Sequence, residues 1–318
     1  MTVLGQLRRR AFGVPSPKSV FSRPGFAPEA WERFAPVAVS LVGGYHAALE
    51  ESHIDMLRRR LDDVEPSLTG IAYEGAGMGL AALDVLAPHR NRVAELVDGP
   101  GARHIYPTYV GVGLAYARLR QSPEARLSRL DPLLGWVTAD GYGFHEAFFR
   151  RRRYVDRHAS PDHLSAVARP YFDQGIGRAL WFSGGAVVER IAAQIGGFVP
   201  ARRAGLWCGV GLASAYGGGT DAAGLGAVLD HAQEFRPQLA RGAATAAWGR
   251  QMAGNLVPHT HLACEVYCGV PAEDAAAAVT EAAEGLPAVS VEPAYTTWCR
   301  RIEQTLVQRS AAPRGPAQ

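Results

Sequence analysis

The stretch GFHEA at residues 143–147 repeats GYHAA at residues 44–48, and a weaker copy, GAATA, follows at residues 242–246. Each step along this series is 99 residues. Two further pairs of segments have nearly the same spacing: YEGAGMGLA from Tyr73 with FDQGIGRAL from Phe172, and GVGLA at 111–115 with its identical copy at 209–213. Three matches in the same order predict a chain that repeats a unit of about 99 residues.

Hydrophobic residues around these segments recur with the period of an α-helix. Ala38, Leu41, Tyr45 and Leu49 are three or four residues apart, which places them on one buried helix face. Similar patterns run through residues 186–195, 222–235, 239–252 and 272–284. The alternation of period two that marks strands is almost absent. The sequence therefore predicts an all-α fold with little or no sheet, in which stacked repeats form a solenoid-like or toroidal body with a concave face.

Proline-rich segments mark the two ends of this body. Residues 1–28 contain four prolines and are predicted to form an extended arm over the body. Residues 29–309 are predicted to form a single helical-repeat domain, with internal repeats at about 44–142, 143–241 and 242–309. The last segment, residues 310–318, is rich in alanine, proline and glycine and is predicted to be disordered.

The composition excludes several classes of protein. A net charge of +3 is far from the basic balance of a nucleic-acid-binding protein, and no nucleic-acid-binding motif occurs. No stretch approaches the length of about eighteen apolar residues that a membrane span needs, and the N-terminus lacks the apolar run of a signal peptide. We therefore predict no membrane span and a cytoplasmic location. Four cysteines without the dense spacing of a disulfide scaffold are predicted to be reduced thiols.

No cofactor is predicted, because no cofactor-binding motif is complete. Gly75, Gly77 and Gly79 lack the preceding strand and the following acidic residue of a dinucleotide fingerprint. The single lysine, Lys18, stands outside any phosphate-binding loop.

The segment NLVPHTHLACEVYCG, residues 255–269, combines His259 and His261 with Cys264 and Cys268. Both residue types bind zinc, yet the spacing matches no common zinc module, and no metal site is predicted. Cys264 and Cys268 lie one helical turn apart, which favours burial in a helix core, with a reactive thiol as the alternative. His259 follows the proline of a predicted helix start, where it either caps the helix or contributes a polar group to a site.

Glycines within the repeated segments require an explanation, because glycine in a helix is less favourable than alanine by about 1 kcal/mol. Gly111 and Gly113 in one copy and Gly209 and Gly211 in the other allow two interpretations. Either they let helix backbones pack closely, or they line a cavity in which a ligand lies against bare backbone.

The run ADGYGFHEAFFRRRRYVDRH, residues 139–158, holds the densest set of chemically active side chains. Asp140 is placed to cap a helix whose first turns carry His145 and Glu146. A histidine beside a carboxylate suits general acid-base catalysis, but neighbouring residues on a helix point about 100° apart. His46 occupies the equivalent position in the first repeat, which favours a structural hydrogen bond for both histidines.

Four consecutive arginines follow in the same run: Arg150, Arg151, Arg152 and Arg153. Such a run is either a solvated helix face or a docking patch for an acidic partner such as a carrier protein. Docking of a polyketide synthase would use the same patch.

The segment YFDQGIGRALWFSG, residues 171–184, places polar residues beside an aromatic pair. Gln174 and Arg178 are four residues apart and share a helix face, whereas Asp173 and Arg178 are five apart. Together with Trp181 and Phe182 they form either an internal polar pair or an aromatic-lined pocket whose arginine binds an acidic or carbonyl ligand.

Five long segments resemble the UnbL-type proteins of enediyne biosynthesis, a family with a domain of unknown function. The segments are YPTYVGVGLAYARL from Tyr106, DGYGFHEAFF from Asp140, FDQGIGRALWF from Phe172, LWCGVGLASAYGGG from Leu206 and GNLVPHTHLAC from Gly254. The resemblance extends from about residue 30 to 285 and leaves out the N-terminal arm. It implies a bacterial, cytoplasmic protein encoded beside an iterative polyketide synthase that makes the polyene precursor of an enediyne core. It carries no established catalytic residues.

We therefore expect an accessory protein of enediyne or polyketide biosynthesis that binds or modifies a hydrophobic polyene intermediate in a helical cavity. If the protein is an enzyme, the expected catalytic groups are His145, Glu146, Asp173, Arg178 and His259. The expected ligand-binding residues are Gly111, Gly113, Phe144, Trp181, Trp207, Gly209 and Gly211. Two alternatives remain open: a non-catalytic scaffold that docks a polyketide synthase or tailoring enzyme, and a self-resistance protein that sequesters the product.

Overall fold

The computed structural model describes residues 3–51, 53–286 and 292–311, and these residues form an all-α fold without a strand. The predicted fold class is therefore confirmed. The α-helices of the described residues are α1 (Val3–Phe12), α2 (Pro17–Phe21), α3 (Glu29–Glu50), α4 (Ile54–Asp62), α5 (Thr69–Leu86), α6 (Arg92–Val97), α7 (Ile105–Arg118), α8 (Val137–Phe149), α9 (Arg169–Ser183), α10 (Val188–Gly196), α11 (Pro200–Gly217), α12 (Ala222–Ala232), α13 (Arg236–Ala253), α14 (Pro258–Cys268), α15 (Ala272–Glu281) and α16 (Ala294–Ala311). Most of the tail predicted over residues 310–318 lies outside the described residues.

Seven of these helices pack side by side in the order of the chain: α3, α5, α7, α8, α9, α11 and α13. Consecutive helices are antiparallel: Gly44 of α3 meets Ala72 of α5, whereas Gly75, further along α5, meets Leu41, which lies earlier in α3. The row is curved, since α3 at its start also contacts α9, and α13 at its end contacts the short turn Ala102–His104 before α7. The row therefore has a concave face.

Pairs of glycines lie where neighbouring helices of the row touch. At each of the six interfaces, each helix contributes one glycine, and the two glycines form a pair. Each glycine lies against a backbone carbonyl oxygen of the other helix, and this oxygen belongs to the residue three positions before the other glycine of the pair. A Cβ atom at any of these glycines would overlap that oxygen, so glycine lets the backbones touch and form Cα–H···O contacts. The six pairs are Gly44 with Gly75, Gly77 with Gly111, Gly113 with Gly141, Gly143 with Gly175, Gly177 with Gly209, and Gly211 with Gly242.

The spacing of these glycines gives the sequence repeat a physical basis. The glycine that faces the following helix recurs after 30 to 36 residues, at positions 44, 77, 113, 143, 177 and 211. Three such steps lead from Gly44 to Gly143, which is the spacing of 99 residues found in the sequence. One helix with its connection is thus the smallest spatial unit, and the division of the chain into repeats of 99 residues stays a prediction.

The N-terminal segment differs from the expected extended arm, because it forms α1 and α2. Residues 3–12 contain no proline, and two of the prolines lie where helices tolerate them. Pro17 is in the first turn of α2, and Pro28 immediately precedes α3. α1 packs on the C-terminal end of α3, where Gly5 lies against the carbonyl oxygen of Glu50. The segment is therefore docked on the row of helices by its own secondary structure.

His104 makes the stability of this fold depend on pH. Its ring is buried and stacks on Tyr73 at a centroid distance of 4.0 Å, and neither ring nitrogen has a hydrogen-bond partner among the described residues. Burial lowers the pKa of His104 from 6.5 to about 4. Between these two values the unfolded chain binds a proton that the folded protein does not bind. The contribution of His104 to stability is therefore lost as the pH falls through this window and is constant above it.

We expect His104 to lower the free energy of unfolding by about 2 kcal/mol between pH 7 and pH 5, because each pH unit below the unfolded pKa costs about 1.4 kcal/mol for this group. Urea unfolding at the two pH values measures this loss. The variant His104→Phe keeps an aromatic ring on Tyr73 without a titrating nitrogen and should lose much less. Equal losses in the two proteins would assign the pH dependence to other groups.

Candidate functional site

The concave face of the row is formed by the residues that flank the paired glycines. Where a helix carries the pattern Gly-x-Gly, the residue before the first glycine and the residue after the second are four apart, so both side chains lie on one face. The preceding residues are Glu74, Val110, Asp140, Gln174, Cys208 and, before a single glycine, Arg241. The following residues are Met78, Leu114, Phe144, Arg178 and Leu212. Five members of the two sets, contributed by α5, α7, α8 and α9, line one cavity: Glu74, Met78, Leu114, Phe144 and Arg178.

This cavity has a volume of about 240 Å³. Side chains of α3, α5, α7, α8 and α9 form its walls, which are mainly apolar. Phe144 and Phe148 stack with their ring centroids 5.1 Å apart, and Phe144 meets Phe182 edge-on at 6.1 Å. An aromatic and aliphatic wall with few polar groups is the usual composition of a small-molecule site.

The N-terminal segment covers one side of the cavity. The hydroxyl group of Tyr45 donates a hydrogen bond of 2.7 Å to the carbonyl oxygen of Phe12. The backbone N–H of Val14 donates to Nε2 of His46 at 3.2 Å, so His46 has a structural hydrogen bond of the kind expected from the sequence. The covering side chains are Val14, Pro15, Pro17, Val20, Phe21 and Arg23.

Arg178 places a buried charge at the cavity wall. Its Nη1 donates to Oδ1 of Asp140 at 2.5 Å, its Nη2 lies 3.4 Å from Oε1 of Glu74, and the guanidinium lies over the ring of Phe144. Burial alone would lower the pKa of Arg178, but the carboxylates of Asp140 and Glu74 raise it, so the group stays charged. Burial raises the pKa of the Glu74 carboxyl, although Arg178 acts in the opposite direction.

From Asp140, hydrogen bonds continue across the interior to the end of the row. The amide of Gln174 donates to Oδ2 of Asp140 at 2.6 Å, and the thiol of Cys208 donates to Oε1 of Gln174 at 3.2 Å. Nε of Arg241 donates to the sulfur of Cys208 at 3.3 Å, and Nη1 of Arg241 pairs with Glu303 at 3.3 Å. Burial raises the pKa of Cys208 to about 12, so this thiol stays protonated and acts as a hydrogen-bonding group.

His145 lines the cavity with a carboxylate directly behind it. Its Nδ1 lies 3.5 Å from Oε1 of Glu146, whose other oxygen, Oε2, accepts a hydrogen bond of 3.0 Å from Arg150. Burial lowers the pKa of His145, and the neighbouring Glu146 opposes this shift. The imidazole is therefore neutral at pH 7 and can accept a proton from a bound molecule.

The remaining predicted catalytic and aromatic residues lie away from the cavity. Asp173 accepts hydrogen bonds of 3.0 Å from Nε of Arg202, and a ring nitrogen of His259 lies 3.0 Å from the carbonyl oxygen of Tyr216 near the start of α14. Nε1 of Trp181 donates to the carbonyl oxygen of Gly218 at 2.9 Å. Trp207 lines a separate groove together with Phe235. Of the predicted site residues, the structure brings Phe144, His145 and Arg178 to the cavity, with Glu146 behind His145.

The four glycines proposed as ligand contacts all lie at helix interfaces. Gly111 packs on α5, Gly113 on α8, Gly209 on α9 and Gly211 on α13. None of them lines the cavity. Their position agrees with the close-packing interpretation.

The four consecutive arginines have different surroundings. Arg150 pairs with Glu146, and Arg151 is mostly buried, with its Nε 3.7 Å from Asp156. Arg152 and Arg153 are exposed, and Arg153 lies over the ring of Tyr154. Two of the four side chains are therefore available to a partner on the protein surface.

The cysteines of α14 are buried in the core against α13. Cys268 donates to the carbonyl oxygen of Ala240 at 3.4 Å, and Cys264 lies 3.8 Å from that of Ala243. Within residues 3–51, 53–286 and 292–311, no group of three or more His, Cys, Asp or Glu side chains could hold a metal ion. None of the helices formed by these residues has both the length and the apolarity to cross a membrane.

Three residues of the polar interior were not among the site residues predicted from the sequence: Glu74, Cys208 and Arg241. A signal for them exists in the sequence, because each stands directly before the first glycine of a repeated segment. Read in order, the letters at this position are E, V, D, Q, C and R. A single position that carries polar residues in five of six helices, within otherwise apolar segments, indicates a shared polar interior.

Together these features define an all-α protein whose glycine-packed row of helices encloses an apolar cavity covered by its own N-terminal segment. The chain belongs to the family described as protein of unknown function (DUF1702), which matches residues 3–306. No curated protein and no solved structure matches the chain. The matched range includes α1 and α2, so the covering segment belongs to the family domain.

Proposed function

We propose that this protein binds an elongated, apolar small molecule in the cavity beneath its N-terminal segment. The observation that carries the proposal is the cavity itself, because Met78, Leu114, Phe144, Phe148 and Phe182 surround open space within the body of the protein. Engineered apolar cavities of about 150 Å³ bind benzene. The larger volume of about 240 Å³ is sufficient for a longer hydrocarbon ligand.

The buried polar groups at the wall favour an uncharged ligand in the interior of the cavity, whereas the charged side chains of Arg23 and Arg118 lie at exposed positions of the lining. Arg178 is already paired with Asp140 and Glu74, so it offers no unbalanced charge to a carboxylate. The raised pKa of Glu74 and the lowered pKa of His145 both favour the neutral forms of these side chains. Both side chains can hydrogen-bond to a carbonyl or hydroxyl group of a ligand, and they place two groups capable of proton transfer at the same cavity.

We further propose that the biological role is that of an accessory protein in enediyne or polyketide biosynthesis, with a hydrophobic polyene intermediate as the ligand. The resemblance of the segments from Tyr106, Asp140, Phe172, Leu206 and Gly254 supports this role. An apolar cavity of about 240 Å³ is compatible with a polyene. If the ligand is converted, His145 with Glu146 is the group that would move a proton.

Binding can be tested with diphenylhexatriene, an uncharged polyene whose fluorescence rises in apolar surroundings. We expect saturable binding to the purified protein. Ala38 lines the cavity, and the variant Ala38→Trp should weaken binding about tenfold by filling the space. Ala223 is exposed on α12, so Ala223→Trp is a matched control that should bind like the unmodified protein. Equal affinities of the two variants would place the probe outside the cavity and contradict the proposal.

A scaffold is the second candidate function, favoured by the exposed Arg152 and Arg153 beside the exposed ring of Phe149. Stoichiometric capture of a polyketide synthase from the native host, lost in an Arg152→Glu/Arg153→Glu variant, would support it. A self-resistance role would instead predict that deletion of the protein harms the producing cell while production continues.

A further inference from the structure

Helix α1 carries apolar side chains on its exposed surface. Val3 is 77% exposed, and Leu4 and Leu7 are each 55% exposed. Val3 and Leu7 are four residues apart and therefore share a helix face. Only Gly5 of this helix is buried. Val3, Leu4 and Leu7 thus give α1 an exposed apolar side, and clustered apolar residues on a protein surface are typical of interaction sites.

The same segment concentrates positive charge. Residues 1–28 contain Arg8, Arg9, Arg10, Lys18 and Arg23 and no acidic residue, so they carry a formal charge of +5. Because the whole chain carries +3, the remaining residues carry a formal charge of −2. Arg9 pairs with Glu50, which attaches α1 to α3, while Arg10, Lys18 and Arg23 are exposed.

This basic, apolar segment leads directly into the cover of the cavity. The carbonyl oxygen of Phe12, the last residue of α1, accepts a hydrogen bond from the hydroxyl group of Tyr45, and both Tyr45 and Val14 line the cavity. Other exposed residues at the cavity wall are likewise basic or apolar. They are Arg23, Arg118 and Phe149, whose ring is 43% exposed.

We infer that α1, with the exposed residues at the cavity wall, binds the surface of an anionic lipid membrane. A helix with apolar side chains on one side and arginines beside them matches the boundary between acyl chains and anionic headgroups. An acidic protein would pair with the arginines but would leave Val3, Leu4 and Leu7 without an apolar partner. The membrane would then supply or receive the apolar ligand of the cavity, a consequence that rests on the proposed function.

Vesicle sedimentation tests this inference with the purified full-length protein. We expect binding to vesicles of phosphatidylcholine mixed with an equal part of phosphatidylglycerol, and about tenfold weaker binding to vesicles of phosphatidylcholine alone. The variant Leu4→Glu/Leu7→Glu removes the apolar face at exposed positions and should bind the anionic vesicles at least about tenfold more weakly. Leu86 is equally exposed at the end of α5, so Leu86→Glu is the matched control and should bind normally.

Equal binding by Leu4→Glu/Leu7→Glu and Leu86→Glu, or equal binding to the two kinds of vesicle, would overturn the inference. Failure to bind either vesicle, with binding to an acidic protein instead, would overturn it as well. The proposed ligand site is tested separately: Leu4→Glu/Leu7→Glu should retain its affinity for diphenylhexatriene in solution, whereas Ala38→Trp should bind the probe about tenfold more weakly and still bind vesicles.

Discussion

Gly44→Ala is expected to lower the free energy of unfolding by about 3 kcal/mol, with a fall in melting temperature of roughly 4 to 5 °C for a chain of 318 residues. The added Cβ atom would overlap the carbonyl oxygen of Ala72 in the backbone of α5. A backbone carbonyl within a helix cannot rotate away as a side chain does, so α3 and α5 must separate along their contact. Each of the other paired glycines should behave in the same way, because all six interfaces have the same geometry.

The preceding residue provides an unusually close control. Gly43 is exposed, and a Cβ atom added there would meet nothing within 4 Å. Gly43→Ala should therefore raise the free energy of unfolding by about 0.5 to 1 kcal/mol, since alanine is the better helix former and restricts the unfolded chain. Thermal and urea unfolding of the two variants should give changes of opposite sign. Similar changes at both positions would mean that general helix propensity, and not the contact between α3 and α5, determines the effect.

Much of the fold could be predicted from the sequence because the information is local. The period of the hydrophobic residues indicates helices without sheet, and the repeated glycines allow close packing as one of two interpretations. The spacing of 99 residues predicts one repeated unit, whereas in the structure one helix with its connection recurs at about a third of that spacing. The smaller unit was obscured because its length varies between 30 and 36 residues, which weakens letter-by-letter matches.

Helix boundaries were less predictable where glycines interrupt a pattern. Asp140 was expected to cap the start of a helix, but α8 already begins at Val137. The turn before α8 is organised instead by Asp131, whose Oδ1 accepts hydrogen bonds from the backbone N–H groups of Leu133 and Leu134 at 2.9 and 2.7 Å. Asp140 therefore lies one turn inside the helix, where its buried carboxylate pairs with Arg178.

The partners of the site residues could not be predicted from the sequence, because they are distant in the chain. The spacing in the sequence places Arg178 on one helix face with Gln174, whereas its carboxylate partners come from positions 140 and 74, on two other helices. Asp173 pairs with Arg202 on α11. The position of the N-terminal segment over the cavity could not be predicted either. It depends on how the row of helices curves around the interior, because this curvature decides which surface the segment contacts.

Arg178→Met is expected to lower the free energy of unfolding by about 3 to 5 kcal/mol, the usual cost of removing one partner from a buried ion pair. Methionine fills a similar volume, so the main effect is that Asp140 and Glu74 remain in the interior without their cation. The double variant Asp140→Asn/Arg178→Met removes one of the two carboxylates and should recover part of the loss. Arg236 pairs with Asp230 on the surface, so Arg236→Met is a control expected to change stability little.

The pH dependence of Arg178→Met shows whether charge causes the loss. Arg178 opposes the rise in the pKa of Glu74, so its removal should raise that pKa further above the unfolded value. A carboxyl whose folded pKa is raised stabilises the protein below its unfolded pKa and loses that contribution as the pH rises through the folded pKa. The deficit of Arg178→Met relative to the unmodified protein should therefore shrink between pH 7 and pH 5. A constant deficit would mean that lost packing around Arg178, and not an uncompensated carboxylate, destabilises the variant.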